Sequence, residues 1–153
     1  MRWGTLAVLF LLAACASPPP KVEAPPPPAA PPPLAALVVR SAHAYLPEED
    51  AARPEPADPA DFLRRAFSEN GVELPATIEA LSLAGVRVPQ AELRPGDILI
   101  FSGERVSRIA EHAGLYAGKG SFLHYRPGYG VTLELLDAPY YKLRFITARR
   151  VIF

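Results

Sequence analysis

Two histidines, His112 and His124, are the residues best suited to chemistry, and both lie in the part of the chain richest in branched and aromatic residues. An imidazole can act as a general base, orient a second imidazole or bind a metal ion. A histidine base often serves a nucleophilic thiol, but the only cysteine, Cys15, lies near the N-terminus. A single cysteine excludes an intramolecular disulfide, a zinc–thiolate site and an iron–sulfur site.

Cys15 has the setting of a lipid-attachment residue. The chain begins Met1-Arg2, continues with a short apolar run and ends that run in small residues, as a secretory signal peptide does. The tetrapeptide Leu12-Ala13-Ala14-Cys15 resembles the lipobox of bacterial lipoproteins, in which the cysteine carries the lipid. We therefore expect residues 1–14 to be a signal peptide and Cys15 to anchor the chain in the cell envelope. Ala16 resembles an outer-membrane address, with the domain facing the periplasm; the alternative is a truncated membrane anchor or a buried helix.

The residues after Cys15 have the composition of a tether. Ten of the 19 prolines lie between Pro18 and Pro33, which favours an extended polyproline conformation and prevents a packed core. We expect residues 15–33 to connect the lipid to one domain at residues 34–153; the alternative is a ligand for a proline-binding module. The 16 basic and 16 acidic side chains balance, so the charge gives no indication of nucleic-acid binding.

Helical patterns precede strand patterns in the predicted domain. Apolar residues recur at helical spacing over residues 34–45, and residues 77–84 predict a second short helix. Between them Asp58 can cap a helix, Pro59 fits its first position, and Asp61 stands where a capping-box acid would. This order predicts an α+β domain with N-terminal helices packed on an antiparallel sheet. The predicted strands are residues 98–101, 113–117, 121–125, 131–136 and 145–153.

Five segments taken together resemble a known family: Asp58–Gly71, Leu74-Pro75, Leu93–Phe101, His112–Tyr116 and Phe122–His124. They are similar in order and spacing to the NlpC/p60-type papain-like cysteine peptidases, which cut peptidoglycan stem peptides. The resemblance implies that His112 is the base, that His124 orients it, and that no cofactor is needed. The family's catalytic helix opens Asp-Cys-Ser-Gly, and the matching residues here are Asp58-Pro59-Ala60-Asp61, so Pro59 occupies the position of the nucleophile.

Pro59 predicts the loss of catalysis, since proline has no nucleophilic atom and no N–H for an oxyanion hole. The family's glycine- and tyrosine-containing loop before the cysteine is also missing, because residues 47–57 contain neither residue type. We expect a catalytically inactive domain with relic triad positions Pro59, His112 and His124. Its groove would bind peptidoglycan stem peptides, or an envelope protein such as a wall hydrolase. The candidate groove residues are Asp58, Asp61, His112, Tyr116 and His124.

The sequence leaves several alternatives open. The domain could be an active peptidoglycan endopeptidase with another nucleophile, or a structural subunit of an outer-membrane complex. Zinc bound by His112, His124 and a carboxylate such as Asp61 is conceivable, but the spacing is not a recognised ligand pattern, so no metal site is expected. We expect Tyr129 at a hairpin tip, His43 at the surface or boundary, and Arg149 and Arg150 as a solvated pair. The other candidate nucleophiles are Ser68, Ser102, Ser107, Ser121 and Asp61.

Overall fold

A computed structural model describes residues 33–47 and 53–153. The predicted signal peptide, the lipidation of Cys15, the tether up to residue 32 and residues 48–52 of the predicted loop lie outside the described residues. In the part of the chain that the structure describes, no helix is both long enough and apolar enough to cross a membrane.

Three of the four α-helices in the described part of the chain precede the strands, as predicted, and the fourth lies between the last two strands. The elements are α1 (Pro33–His43), α2 (Pro59–Ser68), α3 (Ile78–Leu81), β1 (Val86–Val88), a 3₁₀ helix (Gln90–Glu92), β2 (Ile98–Phe101), β3 (His112–Gly118), β4 (Ser121–Arg126), β5 (Gly130–Leu135), α4 (Pro139–Arg144) and β6 (Phe145–Arg150). The strands form one antiparallel sheet in the order β1-β6-β2-β3-β4-β5, which confirms the predicted α+β class.

Both faces of the central strands are covered, each by a different layer. Helices α1 and α2 cover one face, where Phe62 and Phe67 pack with the strand residues Ala113 and Leu123. The other face carries a second apolar cluster that includes Tyr141 of α4. Since successive strand residues point to opposite faces, odd and even positions of β3 enter different layers. The second cluster contains Val88, Leu99, Phe101, Phe122, Leu136, Tyr141 and Ala148.

The start of α2 follows the predicted capping pattern. The Asp58 side chain accepts a hydrogen bond from the Asp61 N–H at 2.8 Å, and Pro59 fills the first helical position. The Asp61 carboxylate accepts a hydrogen bond from the Ala57 N–H at 2.9 Å. In a standard capping box it would accept from the N–H of the cap residue, Asp58, so the donor here lies one residue earlier. Both carboxylates therefore take part in starting the helix.

Three local predictions need correction. The helix predicted at residues 77–84 covers only Ile78–Leu81, after which the chain turns into β1. Strand β1 and helix α4 were missed, because three and six residues are too short to show a clear period. The last strand ends at Arg150 rather than at residue 153.

Arg149 and Arg150 are not a solvated pair, so that prediction is wrong. Asp97 is 1% exposed and accepts from Nε and Nη2 of Arg150, each at 2.8 Å, and from the Arg94 N–H at 2.7 Å. Arg149 donates to the Ser82 carbonyl. This ion pair, in which the carboxylate is buried and the guanidinium partly exposed, joins the end of β6 to the turn before β2, and its partners are 53 residues apart in the sequence. That separation is why the sequence pattern did not reveal it.

Replacing Arg150 should destabilise the fold strongly. In Arg150→Met the buried Asp97 carboxylate keeps only one of its donors, and an uncompensated buried charge lowers the free energy of unfolding by about 3 kcal/mol. Urea unfolding followed by circular dichroism measures this change.

The matched control is Arg87→Met on β1, where the side chain is exposed and a change within about 0.5 kcal/mol is expected. Equal stability of the two variants would show that the Asp97–Arg150 pair does not hold the sheet together.

Candidate functional site

His112 and His124 meet on the face of the sheet opposite α1 and α2. His112 Nε2 lies 2.7 Å from His124 Nδ1, and the rings pack edge to face with centroids 4.9 Å apart. Gly114 makes this approach possible, because a Cβ there would lie 2.7 Å from the Phe122 ring and 3.2 Å from the His124 Cβ. The β3–β4 pairing therefore brings together two of the three relic positions.

The second nitrogen of His124 is held from two further elements. Its Nε2 lies 3.2 Å from Thr132 Oγ1 on β5 and 3.2 Å from Tyr141 Oη on α4. A neutral imidazole has one nitrogen that donates a hydrogen bond and one that accepts. If His124 Nδ1 donates to His112, its Nε2 accepts from Thr132 and Tyr141, and if Nδ1 accepts, Nε2 donates. Either assignment fixes the rotation of the His124 ring, which is 1% exposed. Sequence reasoning missed both residues: alternation along β5 could have suggested Thr132, while nothing local indicates Tyr141.

Both imidazoles are held in the neutral form at neutral pH. Burial and, to a lesser degree, the positive charge of Arg126 together lower the pKa of His112 to about 4. Burial, followed by the smaller effects of His112 and Arg126, lowers the pKa of His124 to about 3. Because both pKa values lie well below 7, neither ring is protonated at neutral pH. The two imidazoles therefore interact through a hydrogen bond between uncharged rings.

His112 and His124 line a cavity of about 690 Å³, a size typical of ligand pockets. The cavity lies between the β2–β3 loop, the β4–β5 hairpin and α4, and no residue of α2 lines it. Pro59 is therefore not part of its wall, since α2 packs on the opposite face of the sheet. The lining residues are Phe101, Ser102, Gly103, Glu104, Glu111, His112, His124, Arg126, Pro127, Tyr129, Glu134, Ala138, Tyr140, Tyr141 and Arg144.

The remaining groove candidates lie elsewhere. Asp58 and Asp61 start α2, as described above, and Tyr116 accepts a hydrogen bond from the Gly120 N–H at 3.0 Å without lining the cavity. Tyr129 lies in the turn between β4 and β5, where a hairpin tip was expected, but it also forms part of the cavity wall. The Arg126 guanidinium stacks on its ring, 4.5 Å from the centroid.

Among the alternative nucleophiles, Ser102 differs from the others. Ser68 donates to the Arg65 carbonyl, and Ser107 accepts from the Ile109 N–H. Ser102 is 2% exposed and lines the cavity, and its hydroxyl has no hydrogen-bond partner among the described residues. The Asp61 carboxylate, a candidate nucleophile and a conceivable zinc ligand from the sequence, pairs with Arg65 at 2.8 Å. Across residues 33–47 and 53–153, no group of three or more His, Cys, Asp or Glu side chains could hold a metal ion.

Comparison with known sequences gives a consistent set of relatives. The profile of the NlpC/P60 family matches residues 50–150. The murein DD-endopeptidase MepS/murein LD-carboxypeptidase of Escherichia coli is 34% identical over 96 residues, 62% of this chain and 50% of that relative. A probable endopeptidase NlpC homolog of Haemophilus influenzae is 32% identical over 96 residues, 62% of this chain and 49% of its own length. The chain spans about half the length of these curated relatives.

Solved structures agree at the level of the fold. An NlpC/P60 family protein from Bacillus cereus superposes with a TM-score of 0.66 at 22% identity, covering 76% of this chain and 39% of that one. The peptidoglycan hydrolase RipB of Mycobacterium tuberculosis gives a TM-score of 0.60 at 21% identity, covering 78% and 65%. At these identities the likeness shows the fold alone, and it confirms the expected papain-like arrangement.

The neutral histidine pair predicts a specific pH dependence of stability. Histidines in the unfolded chain take up protons near pH 6.5, whereas the folded pair resists protonation until about pH 4 and 3. The unfolded state therefore binds more protons below pH 6.5, and acidification destabilises the fold. We expect this pair to remove roughly 4 kcal/mol of unfolding free energy between pH 7.5 and pH 5, about 2 kcal/mol for each ring, measured by urea unfolding.

In the double variant His112→Gln/His124→Gln, the free energy of unfolding should no longer show this part of its dependence on pH. As a second readout, NMR of the imidazole resonances in the unaltered protein should show both rings neutral at pH 5.5. Titration of either ring near pH 6.5 would contradict the buried, neutral pair.

Proposed function

The chain belongs to the NlpC/P60 family, and from that premise we propose that it is a non-catalytic, lipid-anchored envelope module that binds peptidoglycan stem peptides. The observation that carries the proposal is Pro59 at the first position of α2, where the family resemblance places the catalytic cysteine. The curated relatives are named as endopeptidases, so in this proposal the chain shares their fold without their chemistry.

Papain-like hydrolysis needs a thiolate, and no residue from 16 to 153 is a cysteine. A thiol at a helix N-terminus has a lowered pKa and attacks as the thiolate, whereas Pro59 offers no such atom. Removing a nucleophile from such a constellation lowers the rate by orders of magnitude. The low pKa of His112, about 4, adds to this argument because a base must hold the proton that it removes.

The cavity beside the histidine pair supports binding. It presents the carboxylates of Glu104 and Glu111, the guanidinium of Arg126, the Tyr129 ring and the His112 imidazole within one concave surface. A stem peptide carries amide, amine and carboxylate groups that such side chains can hydrogen-bond. Binding therefore needs none of the atoms that Pro59 removes.

Incubation with insoluble peptidoglycan tests the loss of catalysis. We expect the purified chain to release no more stem-peptide fragments than buffer, by mass spectrometry, while the Escherichia coli relative serves as the active control. The His112→Ala variant should give the same background. Release that disappears in His112→Ala or in Ser102→Ala would instead establish an active peptidase, with Ser102 as the nucleophile in the second case.

Co-sedimentation with the same peptidoglycan tests the binding role. We expect the chain to be retained, and His112→Ala to bind about fivefold more weakly, since it loses about one hydrogen bond to the ligand. The control His43→Ala changes the same residue type on α1, remote from the cavity lining, and should bind normally. A chain that is not retained would favour a protein partner, which crosslinking in cells would then identify.

Metabolic labelling with a clickable fatty acid tests the proposed anchor. The unaltered chain should take up the label and fractionate with the outer membrane, in keeping with Cys15 and Ala16. The Cys15→Ser variant should remain unlabelled. Equal labelling of both chains, or labelling of neither, would refute lipid attachment at Cys15.

A further inference from the structure

Strand β5 forms one edge of the sheet, and among the described residues no further strand lies beside it. It pairs with β4 along its whole length without a shift in register. Natural proteins usually protect such an edge with proline, lysine, a bulge or a covering segment, because open backbone groups can pair with another chain. β5 contains no proline and no lysine, and Glu134 is its only charged residue. The strand is therefore open to pairing on its outer side.

The hydrogen bond just beyond β5 shows which of its backbone groups point outward. The Leu136 N–H donates to the Gly120 carbonyl at 2.8 Å, in the same register as the β4–β5 pairing. In an antiparallel ladder, residues that bond to the neighbouring strand alternate with residues that do not. Thr132 and Glu134, like Leu136, therefore bond to β4. The residues whose N–H and C=O groups point away from the sheet are Val131, Leu133 and Leu135.

The same three residues carry apolar side chains on the helical face of the sheet. Val131 belongs to the apolar core under the helices, whereas Leu133 is 47% exposed and Leu135 is 60% exposed. The other face of β5 carries Thr132, which contacts His124, and Glu134, which lines the cavity. The edge thus combines outward backbone groups with two leucines that this chain leaves largely uncovered, and exposed apolar side chains in a group mark interaction surfaces.

Among the segments of this chain, a second copy of β5 is the best partner for the edge. The proline-rich residues 18–33 are a poor partner, because ten of them are proline and have no N–H to donate. Strand β1, at the opposite edge of the sheet, is only three residues long. Pairing of β5 with β1 of another molecule would also be head to tail and would build an open chain of molecules. Pairing of β5 with itself closes as a dimer and matches two edges of equal length.

Charge and hydrogen bonding together select one register for this self-pairing. With Leu133 opposite Leu133 of the second copy, Leu135 lies opposite Val131, and all outward backbone groups pair in about six hydrogen bonds. Glu134 then lies opposite the uncharged Thr132. A register centred on Glu134 would place two carboxylates directly opposite each other, which is destabilising. A register centred on Thr132 would leave the outward groups of Leu135 without a partner in the second copy.

From these features we propose that β5 pairs with β5 of a second copy of this chain, antiparallel and centred on Leu133, so that two sheets become one continuous sheet. The two-fold axis is perpendicular to the sheet, so both helical layers lie on one side and both cavities open on the other. The contact is a strand edge with few side chains rather than a broad face, so the dimer dissociates on dilution. The inference is independent of the proposed function, since it needs no ligand in the cavity.

Single cysteines test the register by disulfide formation. A Cys15→Ser background leaves the introduced thiol as the only one in the chain. In Leu133→Cys the two Cα atoms face each other across the two-fold axis at about 5.5 Å, within the range of a disulfide. In the matched variant Leu135→Cys they lie roughly 15 Å apart, too far for a bond. After mild oxidation, non-reducing electrophoresis should show at least about tenfold more crosslinked dimer for Leu133→Cys.

Sedimentation equilibrium tests the dimer in the unaltered chain. We expect a reversible equilibrium between monomer and dimer that shifts to the monomer on dilution. Leu133→Lys places two ammonium groups opposite each other at the two-fold axis, so the dissociation constant should rise at least about tenfold. The control Leu83→Lys changes a leucine that is 72% exposed and lies just before β1, at the other edge of the sheet, and should leave the dissociation constant unchanged. Circular dichroism checks that both variants are folded.

Three results would overturn the inference. The first is a chain that stays monomeric up to its limit of solubility. The second is a dimer that Leu133→Lys weakens no more than Leu83→Lys does, since the contact would then lie elsewhere. The third is equal crosslinking of Leu133→Cys and Leu135→Cys, which indicates random collision or a different register. Each of these results would leave the peptide-binding proposal standing, because a monomer carries the complete cavity.

Discussion

The constraint on which the structure depends is that β3 and β4 are covered on both faces. Alternation then sends Ala113 and Leu123 into the helical layer and sends His112 and His124 to the other side. A slip of one residue would move apolar side chains into the cavity and histidines under α2, so the register is strongly determined. Gly114 contributes by letting the Phe122 and His124 side chains lie close over β3. The site is thus a consequence of how the sheet is buried.

Fold and chemistry are separable at the start of α2. Each of three residues helps to begin this helix. Asp58 caps it, Pro59 has the backbone angle preferred at the first helical position, and the Asp61 carboxylate accepts a hydrogen bond from the N–H of Ala57 in the preceding turn. None of these roles requires a thiol. The helix therefore keeps its position and its packing with a residue that cannot attack a peptide bond. In the function that we propose, the chain retains the family's scaffold for binding, and the ligand occupies the cavity on the other face.

Much of the fold could be predicted from the sequence, and the reasons for the failures are physical. Branched and aromatic runs indicated β2 to β5 to within a residue or two, and the caps of α2 are local signals. Helix α4 and strand β1 were missed because short elements depend on tertiary contacts rather than on their own periodicity. The ion pair of Asp97 and Arg150 was missed for a similar reason, since its partners are distant in the chain. Of the site, the family resemblance indicated both histidines, whereas the part that Tyr141 and the β2–β3 loop play in the cavity is evident only from the three-dimensional structure.

One NMR titration tests the central claim, which is that this domain holds a peptidoglycan peptide without cutting it. Isotope-labelled protein would be mixed with an unlabelled stem peptide, and the amide shifts of the protein and the resonances of the peptide would be followed in the same sample over days. The account predicts shifts concentrated around Gly103, Glu111 and Tyr129, with an unchanged peptide. New resonances of cleaved peptide, or shifts confined to the start of α2, would contradict it.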